Sequence, residues 1–322
     1  EDLHMLYSYK INSITSFSGD DSLKVSIESG NAPITSRLRT EGIVFGSGGI
    51  EVSNLYYTNS ITEWVNGTDS DELLIAAGPL FEMDALVPTT TSSYSNDGMF
   101  NGFFLGPNSL SNHSKAGAPG VALAYQNDNG FNVGVSKVWV NGADSDKGMN
   151  GDGFDITRLS MGYDNNDFGG GIIYTLYEDP SELFDTVYDD AGNEITGSIL
   201  GDPVFVGLGA FWNVNEKFDI SVGIDFLEFD YNKFDVATVT SVAADYDLGP
   251  GTLSAGVTDV LGFNHATGAQ DNAGYAYELY YNFDVADGIT VKPMIMIHEL
   301  DSSGSTNWAD ETIYGIETTF KF

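Results

Sequence analysis

Apolar and polar residues alternate along most of the chain with a period of two, the pattern of β-strands with two different faces. In residues 217–228, the apolar side chains share one face, and small or acidic side chains occupy the other. The same split recurs at 203–212, 274–284 and 290–298, and the apolar faces of these segments carry no charge. No stretch has the 3.6-residue period of an amphipathic helix. The pattern therefore predicts an all-β protein.

Strands of barrel-spanning length are predicted at roughly fifteen places. They are residues 3–17, 22–29, 50–60, 72–80, 118–126, 131–140, 154–163, 169–177, 203–212, 217–228, 236–246, 252–260, 274–284, 290–298 and 311–322. The connections alternate between tight turns and long polar segments. The long segments are 30–49, 81–117, 141–153, 178–202, 262–272 and 299–310. One rim of the sheet is therefore short and the other elaborated. Transmembrane β-barrels have this asymmetry, and a soluble β-sandwich has no reason to sort its loops in this way.

The amino-acid composition excludes several other classes of protein. Against 47 acidic residues the chain has 12 Lys and Arg, a net charge of −35, which excludes binding to a nucleic acid backbone. The absence of Cys excludes disulfides, thiolate zinc sites and iron–sulfur clusters. No run approaches the roughly 18 apolar residues of a membrane-spanning helix. The start, Glu1-Asp2, lacks the basic-then-apolar pattern of a signal peptide. Abundant aromatic residues and Gly with little Pro suit a transmembrane barrel.

The last strand, TIYGIETTFKF at 312–322, alternates and ends on Phe322. In this feature the sequence resembles bacterial outer-membrane porins, in which a terminal Phe is an assembly signal. Further stretches resemble cyanobacterial porins related to carbohydrate-selective porins. They are SFSGDDSLKVSIESGN (16–31), NLYYT (54–58), LLIAAGPLFEMDALVP (73–88), SYSNDGMF (93–100) and MGYDNNDFGGGIIYT (161–175). Members of that branch typically carry an S-layer-homology segment ahead of the barrel, and these 322 residues contain none. The resemblance implies one porin domain over 1–322, homotrimers, and contact with outer-membrane lipid and lipopolysaccharide.

Strand parity leads to a further expectation. If the strand ending at Phe322 descends to the periplasm and short turns lie on that side, the first predicted strand, 3–17, also descends. Single-chain bacterial barrels use even strand numbers. We therefore expect a 16-stranded antiparallel transmembrane β-barrel, with one strand upstream of Glu1.

The 81–117 connection is too long for an ordinary turn, and long loops are commonly functional or disordered. It also carries apolar residues, among them Phe103 and Phe104, that favour a buried position. In porins the loop in this place folds into the lumen and narrows it; an external flap is the alternative. The predicted constriction combines loop acids with basic residues that alternation places inward. These are Glu82, Asp84, Asp97, Lys10, Lys24, Arg158 and Lys292. Opposed charges across a narrow pore set ion selectivity.

Two acidic loops, 141–155 and 177–194, are rich in oxygen ligands for Ca²⁺ or Mg²⁺. Neither has the EF-hand spacing, and solvated loops at the outer rim are the simpler interpretation. The candidate ligands are Asp144, Asp146 and Asp152. No cofactor is required by the predicted function.

Catalysis is not expected. The four His residues stand in no nucleophile motif, and Gly169–Gly171 lacks the strand-then-helix context of a phosphate loop. The sequence instead predicts passive diffusion of ions and small hydrophilic solutes. A sugar-selective channel with lumen aromatics such as Tyr280 and Phe211, a structural barrel tethering the membrane to the cell wall, and a soluble β-sandwich binding protein are the alternatives.

Overall fold

One antiparallel sheet dominates the fold. The computed structural model describes residues 7–31, 49–65, 71–81, 92–94, 117–146, 148–149, 153–165, 167–179, 187–188, 194–195, 202–228, 237–263, 270–300 and 311–321. The strands are β1 (Ser8–Thr15), β2 (Asp21–Gly30), β3 (Glu51–Ser60), β4 (Asp71–Phe81), β5 (Ala118–Asn127), β6 (Phe131–Trp139), β7 (Asp155–Asp164), β8 (Phe168–Glu178), β9 (Val187–Tyr188), β10 (Glu194–Ile195), β11 (Val204–Asn215), β12 (Phe218–Glu228), β13 (Ala237–Asp247), β14 (Gly251–Phe263), β15 (Gln270–Ala286), β16 (Ile289–Leu300) and β17 (Glu311–Phe320).

Fifteen of these strands pair in chain order, from β1 to β8 and then from β11 to β17. Each predicted strand corresponds to one of the fifteen, so the predicted all-β architecture is confirmed. Strands β9 and β10 form a separate ribbon inside the 178–202 connection, which the sequence did not predict. The sixteenth strand, expected upstream of Glu1, stays a prediction. None of the described residues forms a helix long and apolar enough to cross a membrane.

Two boundaries differ from the predictions. The 262–272 connection is not a loop throughout, because β14 and β15 continue pairing out to Phe263 and Gln270. The connection between β3 and β4 contains a 3₁₀ turn at Thr62–Val65. Its first part is held by two hydrogen bonds, from Ile61 N to Leu73 O and from Leu73 N to Thr62 Oγ1, each 2.8 Å. The ladder therefore extends past the predicted strand ends at both places.

Burial in the sheet is the reverse of that in a soluble protein. Many small and polar side chains are covered, and many large apolar side chains are open. Ser221 and Arg158 are at most 1% exposed, whereas Val222, Leu279 and Met161 are between 43% and 49% exposed. An apolar face left open over a whole sheet suits contact with lipid. We call the polar side of the sheet the inward face and the apolar side the outward face.

Aromatic side chains gather on the outward face at the rim formed by the short turns, here called the short-turn rim. Neighbouring rings contact each other there, with centroid distances of 6.0 Å for Tyr163 and Phe168 and 6.3 Å for Phe218 and Tyr246. At the opposite rim, the outward face carries Lys137, whose Nζ lies 3.1 Å from Asp155 and 2.9 Å from Glu178. Aromatic girdles and charged groups commonly bound the apolar band of a membrane barrel.

The short turns are built by residues suited to tight geometry. Gly130 has φ of 90°, and its carbonyl oxygen accepts a hydrogen bond of 2.9 Å from Asp164 N. At the first turn, Asp21 Oδ1 accepts hydrogen bonds from the backbone N–H groups of Phe17 and Ser18 at 2.9 and 2.7 Å. Asp21 Oδ2 accepts a third, of 2.7 Å, from the hydroxyl of Tyr57 on β3. Side-chain and backbone chemistry at these turns therefore fixes the pairing of adjacent strands.

Gly130→Ala is expected to destabilise the protein, because a Cβ there would overlap the Asp164 carbonyl and because the backbone conformation is unfavourable for L-residues. The cost should be about 1–3 kcal/mol. The measurement is the temperature at which the detergent-solubilised protein loses its folded mobility on a gel. Gly49→Ala is the control, since a Cβ at Gly49 meets no atom within 4 Å. Equal transition temperatures for the two variants would contradict the prediction.

Candidate functional site

The inward face is the candidate functional surface, because it concentrates the polar and charged side chains that the structure buries. Alternation along each strand places every second residue there. The inward charged residues in the central part of the described strands are Lys10, Lys24, Glu28, Arg158, Asp225, Asp245, Glu278, Lys292 and Glu317.

Two of the four predicted basic residues lie next to each other on β1 and β2. Lys10 is paired in register with Glu28, and its Nζ lies 4.0 Å from the Glu28 carboxylate. Lys24 Nζ lies 5.5 Å from the centre of the Tyr56 ring on β3, a cation–π distance. Both side chains are only partly covered, so this stretch of wall presents positive charge to the interior.

The other two predicted basic residues are buried. Arg158 on β7 is fully covered and stands in register between Ser136 and Thr175. Lys292 on β16 lies 3.5 Å from Glu317 on β17 and 5.8 Å from the centre of the Tyr280 ring. Lys292 is therefore the counter-ion of Glu317 on the neighbouring strand. The role of all four basic residues in a constriction stays a prediction.

Buried acidic residues on β12–β17 were not among the predicted site residues. Asp225, Asp245 and Glu278 are buried on the inward face, and Glu317 is paired with Lys292. Ser254 donates a hydrogen bond to Asp245. Alternation already places these acids inward, but their gathering on one part of the wall depends on which strands are neighbours. This part of the inward face is thus mainly acidic, and β1, β2 and β7 supply the other basic groups.

A piece of the 82–117 connection crosses to this acidic wall. Ser93 Oγ lies 3.1 Å from Ser221 Oγ on β12, and Ser93 N donates a second 3.1 Å hydrogen bond to the same oxygen. The Tyr94 hydroxyl donates a hydrogen bond to Glu278 on β15. The connection leaves from β4, so residues 92–94 reach the inward face of strands far along the sheet. The prediction that this connection folds inward is confirmed for residues 92–94.

Tyr94 is held in a largely apolar pocket. It packs with Ala243, Ala276, Tyr280, Met294 and Met296, and it is 4% exposed. Its ring makes an edge contact with Tyr280 at a centroid distance of 6.1 Å. Burial and the adjacent carboxylate raise the pKa of Tyr94 above its ordinary value. The phenol therefore keeps its proton and acts as the hydrogen-bond donor.

The structure supports no functional role for the remaining predicted site residues. Glu82, Asp84 and Asp97, together with Asp152, lie outside the described residues. Asp144 and Asp146 are exposed, and Asp146 N donates a 3.0 Å hydrogen bond to Asp144 Oδ1. Within the described part of the chain, no three His, Asp or Glu side chains are grouped so that they could hold a metal ion. Binding of Ca²⁺ or Mg²⁺ at the acidic loops stays a prediction.

Solved structures with the same strand arrangement were found by comparison. A mutant of Rh. blastica porin aligns over 98% of this chain and 90% of its own, with a TM-score of 0.54 and 15% identity. A second mutant of the same porin gives a TM-score of 0.55 at 16% identity. The chain has the porin fold. A loop-deletion mutant of OmpT, an outer membrane protein of Vibrio cholerae, aligns over 97% of this chain and 89% of its own, with a TM-score of 0.59 and 13% identity.

Sequence comparison adds no closer relationship. No protein-family model matches the chain, and no curated protein is significantly similar to it. The porin fold therefore rests on the order and pairing of strands over nearly the whole chain. The inward position of residues 92–94 is a feature of this chain's own contacts.

The Lys292–Glu317 ion pair should couple more strongly than the Lys10–Glu28 pair, because the Lys292 side chain is 5% exposed and the Lys10 side chain is 33% exposed. Removing the partner of a buried charge such as Lys292 leaves that charge uncompensated, while exposed pairs contribute about 0–1 kcal/mol. The measurement is a double-mutant cycle of unfolding free energy with Lys292→Met and Glu317→Gln. The same cycle with Lys10→Met and Glu28→Gln is the control. The expectation fails if the coupling energy of Lys10–Glu28 equals or exceeds that of Lys292–Glu317.

Proposed function

We propose that the protein is an outer-membrane porin that lets inorganic ions and small hydrophilic solutes diffuse passively through a water-filled pore. The observation that carries this proposal is the inward face itself, polar, charged and crossed by residues 92–94, on a sheet with the porin fold. A pore of this kind needs neither bound cofactor nor chemistry. Selectivity then depends on width and on the charges of the wall.

The outer membrane is the proposed location. An outward apolar band with an aromatic girdle at the short-turn rim supports contact with lipid. The Lys137 cluster supports a position for the other boundary, where lipopolysaccharide headgroups are the proposed neighbours. We also propose a homotrimer with one pore per subunit, as the resemblance to porins implies. Cross-linking of the protein in native membranes, followed by electrophoresis, tests the trimer.

We further propose that the pore prefers cations. Asp225, Asp245, Glu278 and Glu317 lie on the inward face of β12–β17, where Lys292 is the basic counterpart among the described residues. A wall of fixed negative charge raises the local concentration of cations and lowers that of anions. The predicted loop acids Glu82, Asp84 and Asp97 would add to the same effect.

The test is single-channel recording in a planar bilayer with the full-length protein under a KCl gradient. Stepwise current, with a reversal potential of the sign for K⁺ over Cl⁻, is expected. Absence of current from correctly folded protein would contradict the diffusion-pore proposal. A structural barrel that tethers the membrane to the cell wall would then be the better account.

Neutralising inward acids should weaken the cation preference. Asp225→Asn together with Asp245→Asn is expected to move the reversal potential toward zero, because two fixed negative charges leave the wall. Asp259→Asn together with Glu299→Gln is the matched control, since both of those acids lie on the outward face. Equal shifts in the two double variants would contradict a role for the wall.

A sugar-selective channel, as in the carbohydrate-selective branch that the sequence resembles, is the second candidate. It is favoured by an inward aromatic run in which Phe154 stacks on Tyr177 at 5.9 Å and Tyr177 contacts Phe205 at 5.1 Å. Tyr177 and Phe205 are partly exposed, whereas Tyr280 and Phe211, the lumen aromatics suggested by the sequence, are buried. Aromatic faces could serve as stacking platforms for sugar rings.

The two candidates differ in how the current responds to sugar. A sugar-selective channel predicts that a linear glucose oligosaccharide blocks the current saturably and that Phe205→Ala weakens the block. Phe131→Ala, at an outward ring near the short-turn rim, is the control. A current insensitive to the oligosaccharide would leave the general diffusion pore as the function.

A further inference from the structure

The two wall residues that hydrogen-bond Ser93 and Tyr94, Ser221 and Glu278, belong to one row of register pairs across the sheet. Successive register pairs join Ser221 to Ala243, Ala243 to Gly256, Gly256 to Glu278, and Glu278 to Met296. We call these five inward residues of β12–β16 the docking row. Ser93 hydrogen-bonds Ser221, and Tyr94 hydrogen-bonds Glu278. Ala243 and Met296 belong to the same buried apolar cluster as Tyr94. Ser93 and Tyr94 are therefore attached at two points of the same row, on β12 and on β15.

We propose that Tyr94 is the positioning residue that seats the inward segment on the docking row and thereby sets the width of the pore. The proposal rests on the proposed porin function. It gives Tyr94 the role of holding the segment against the wall. The charged residues predicted for the constriction do not have that role.

Small residues in the docking row make room for the segment. Ala243 and Gly256 occupy its β13 and β14 positions. Gly256 lies beneath the Tyr94 hydroxyl, and Ala243 belongs to the same buried cluster as Tyr94. A Cβ added at Gly256 would lie 3.3 Å from the Tyr94 hydroxyl oxygen and 3.5 Å from Glu278 Oε1. The first distance is tighter than a usual van der Waals contact, and the second is an ordinary one. The phenol therefore already fills the space above Gly256.

The polar end of the pocket depends on Tyr94 for hydrogen bonding. Glu278 is 4% exposed, and its Oε1 accepts the hydrogen bond from the Tyr94 hydroxyl. Its Oε2 is buried with no hydrogen-bond partner among the described residues. A buried carboxylate is costly to leave without donors. Tyr94 is therefore a donor on which Glu278 depends in the docked arrangement.

Ser93 supplies a second attachment beside the first. Its hydroxyl and its backbone N–H both meet Ser221 Oγ at 3.1 Å. Two adjacent loop residues are thus fixed to β12 and β15, which are separated by two strands of the sheet. Attachment at two such points restrains both the position and the direction of the segment. Loss of the Tyr94 attachment, which includes both a hydrogen bond and a buried ring, should release the segment from the wall.

The primary test compares Tyr94→Phe and Tyr94→Ala with the unmodified full chain in single-channel recordings. Removing a hydrogen bond to a charged acceptor shifts the ratio of docked to released segment by roughly 10- to 100-fold. We therefore expect altered dwell times at distinct conductance levels in Tyr94→Phe. In Tyr94→Ala, loss of the ring should also change the mean conductance and the size limit for permeating polyethylene glycols. Tyr174→Phe, at an outward tyrosine, is the control.

A covalent tether separates positioning from general damage. The chain has no Cys, so Ser93→Cys with Ser221→Cys introduces a single pair whose parent oxygens are 3.1 Å apart. Oxidation should leave the conductance of the protein that retains Tyr94 unchanged. In the Tyr94→Ala background, oxidation should restore the original conductance and size limit, and reduction should abolish the rescue. Ser93→Cys with Ser136→Cys, on the inward face of β6, is the pair expected not to cross-link.

The outcomes distinguish this proposal from the porin function. If current is present but Tyr94→Ala leaves its conductance and size limit unchanged, Tyr94 does not position the segment. The same conclusion follows if those properties change and the disulfide does not restore them. If the unmodified chain passes no current, the porin function fails. The rate of disulfide formation between the two introduced cysteines, compared with and without the Tyr94→Ala substitution, then decides the docking by itself, and equal rates would overturn it.

Discussion

The continuous antiparallel ladder is the constraint on which the rest of this structure depends. Strands that pair in chain order satisfy each other's backbone groups, which is the requirement for backbone placed in lipid. Neighbours in the ladder alternate in direction, so the connections fall on two rims and can differ in length. Side chains alternate between two faces, so each strand contributes to both an apolar outward face and a polar inward face. Girdle, wall and candidate pore are consequences of that single arrangement.

The inward face combines two kinds of packing that a water-filled interior does not by itself require. One is an apolar cluster on the inward face of β3–β7 that includes Tyr56, Phe81 and Phe154. The other is the pocket that receives Tyr94 on β13–β16. Both lie on the polar side of the sheet, where a covered apolar side chain needs something to pack against. The Tyr94 pocket has such a partner in residues 92–94, which links the packing of the loop to the shape of the interior.

Charge follows the same geometry. The net charge of −35 belongs to the whole chain and says nothing about where acids lie. The folded sheet brings Asp225, Asp245, Glu278 and Glu317 to one part of the inward face, while Lys10 and Lys24 share another. Lys292 looks like a free basic group in the sequence, yet Glu317 on the adjoining strand partly neutralises it. Selectivity is therefore proposed to depend on local groupings of charge.

The sequence by itself determined the strands, the two faces and the two rims, because a period of two and the residues of tight turns are local properties. Alternation sufficed to put Lys24, Arg158 and Glu278 on the inward side. The length and apolar content of 81–117, together with the resemblance to porins, predicted an inward loop. Alternation could not say that Ser221, Ala243, Gly256, Glu278 and Met296 form one row. Those residues are spread over strands whose relative register is set by pairing across the sheet. Only the tertiary structure decided that Ser93 and Tyr94 meet that row, because contacts between positions 128 and 184 residues apart leave no local trace in the sequence.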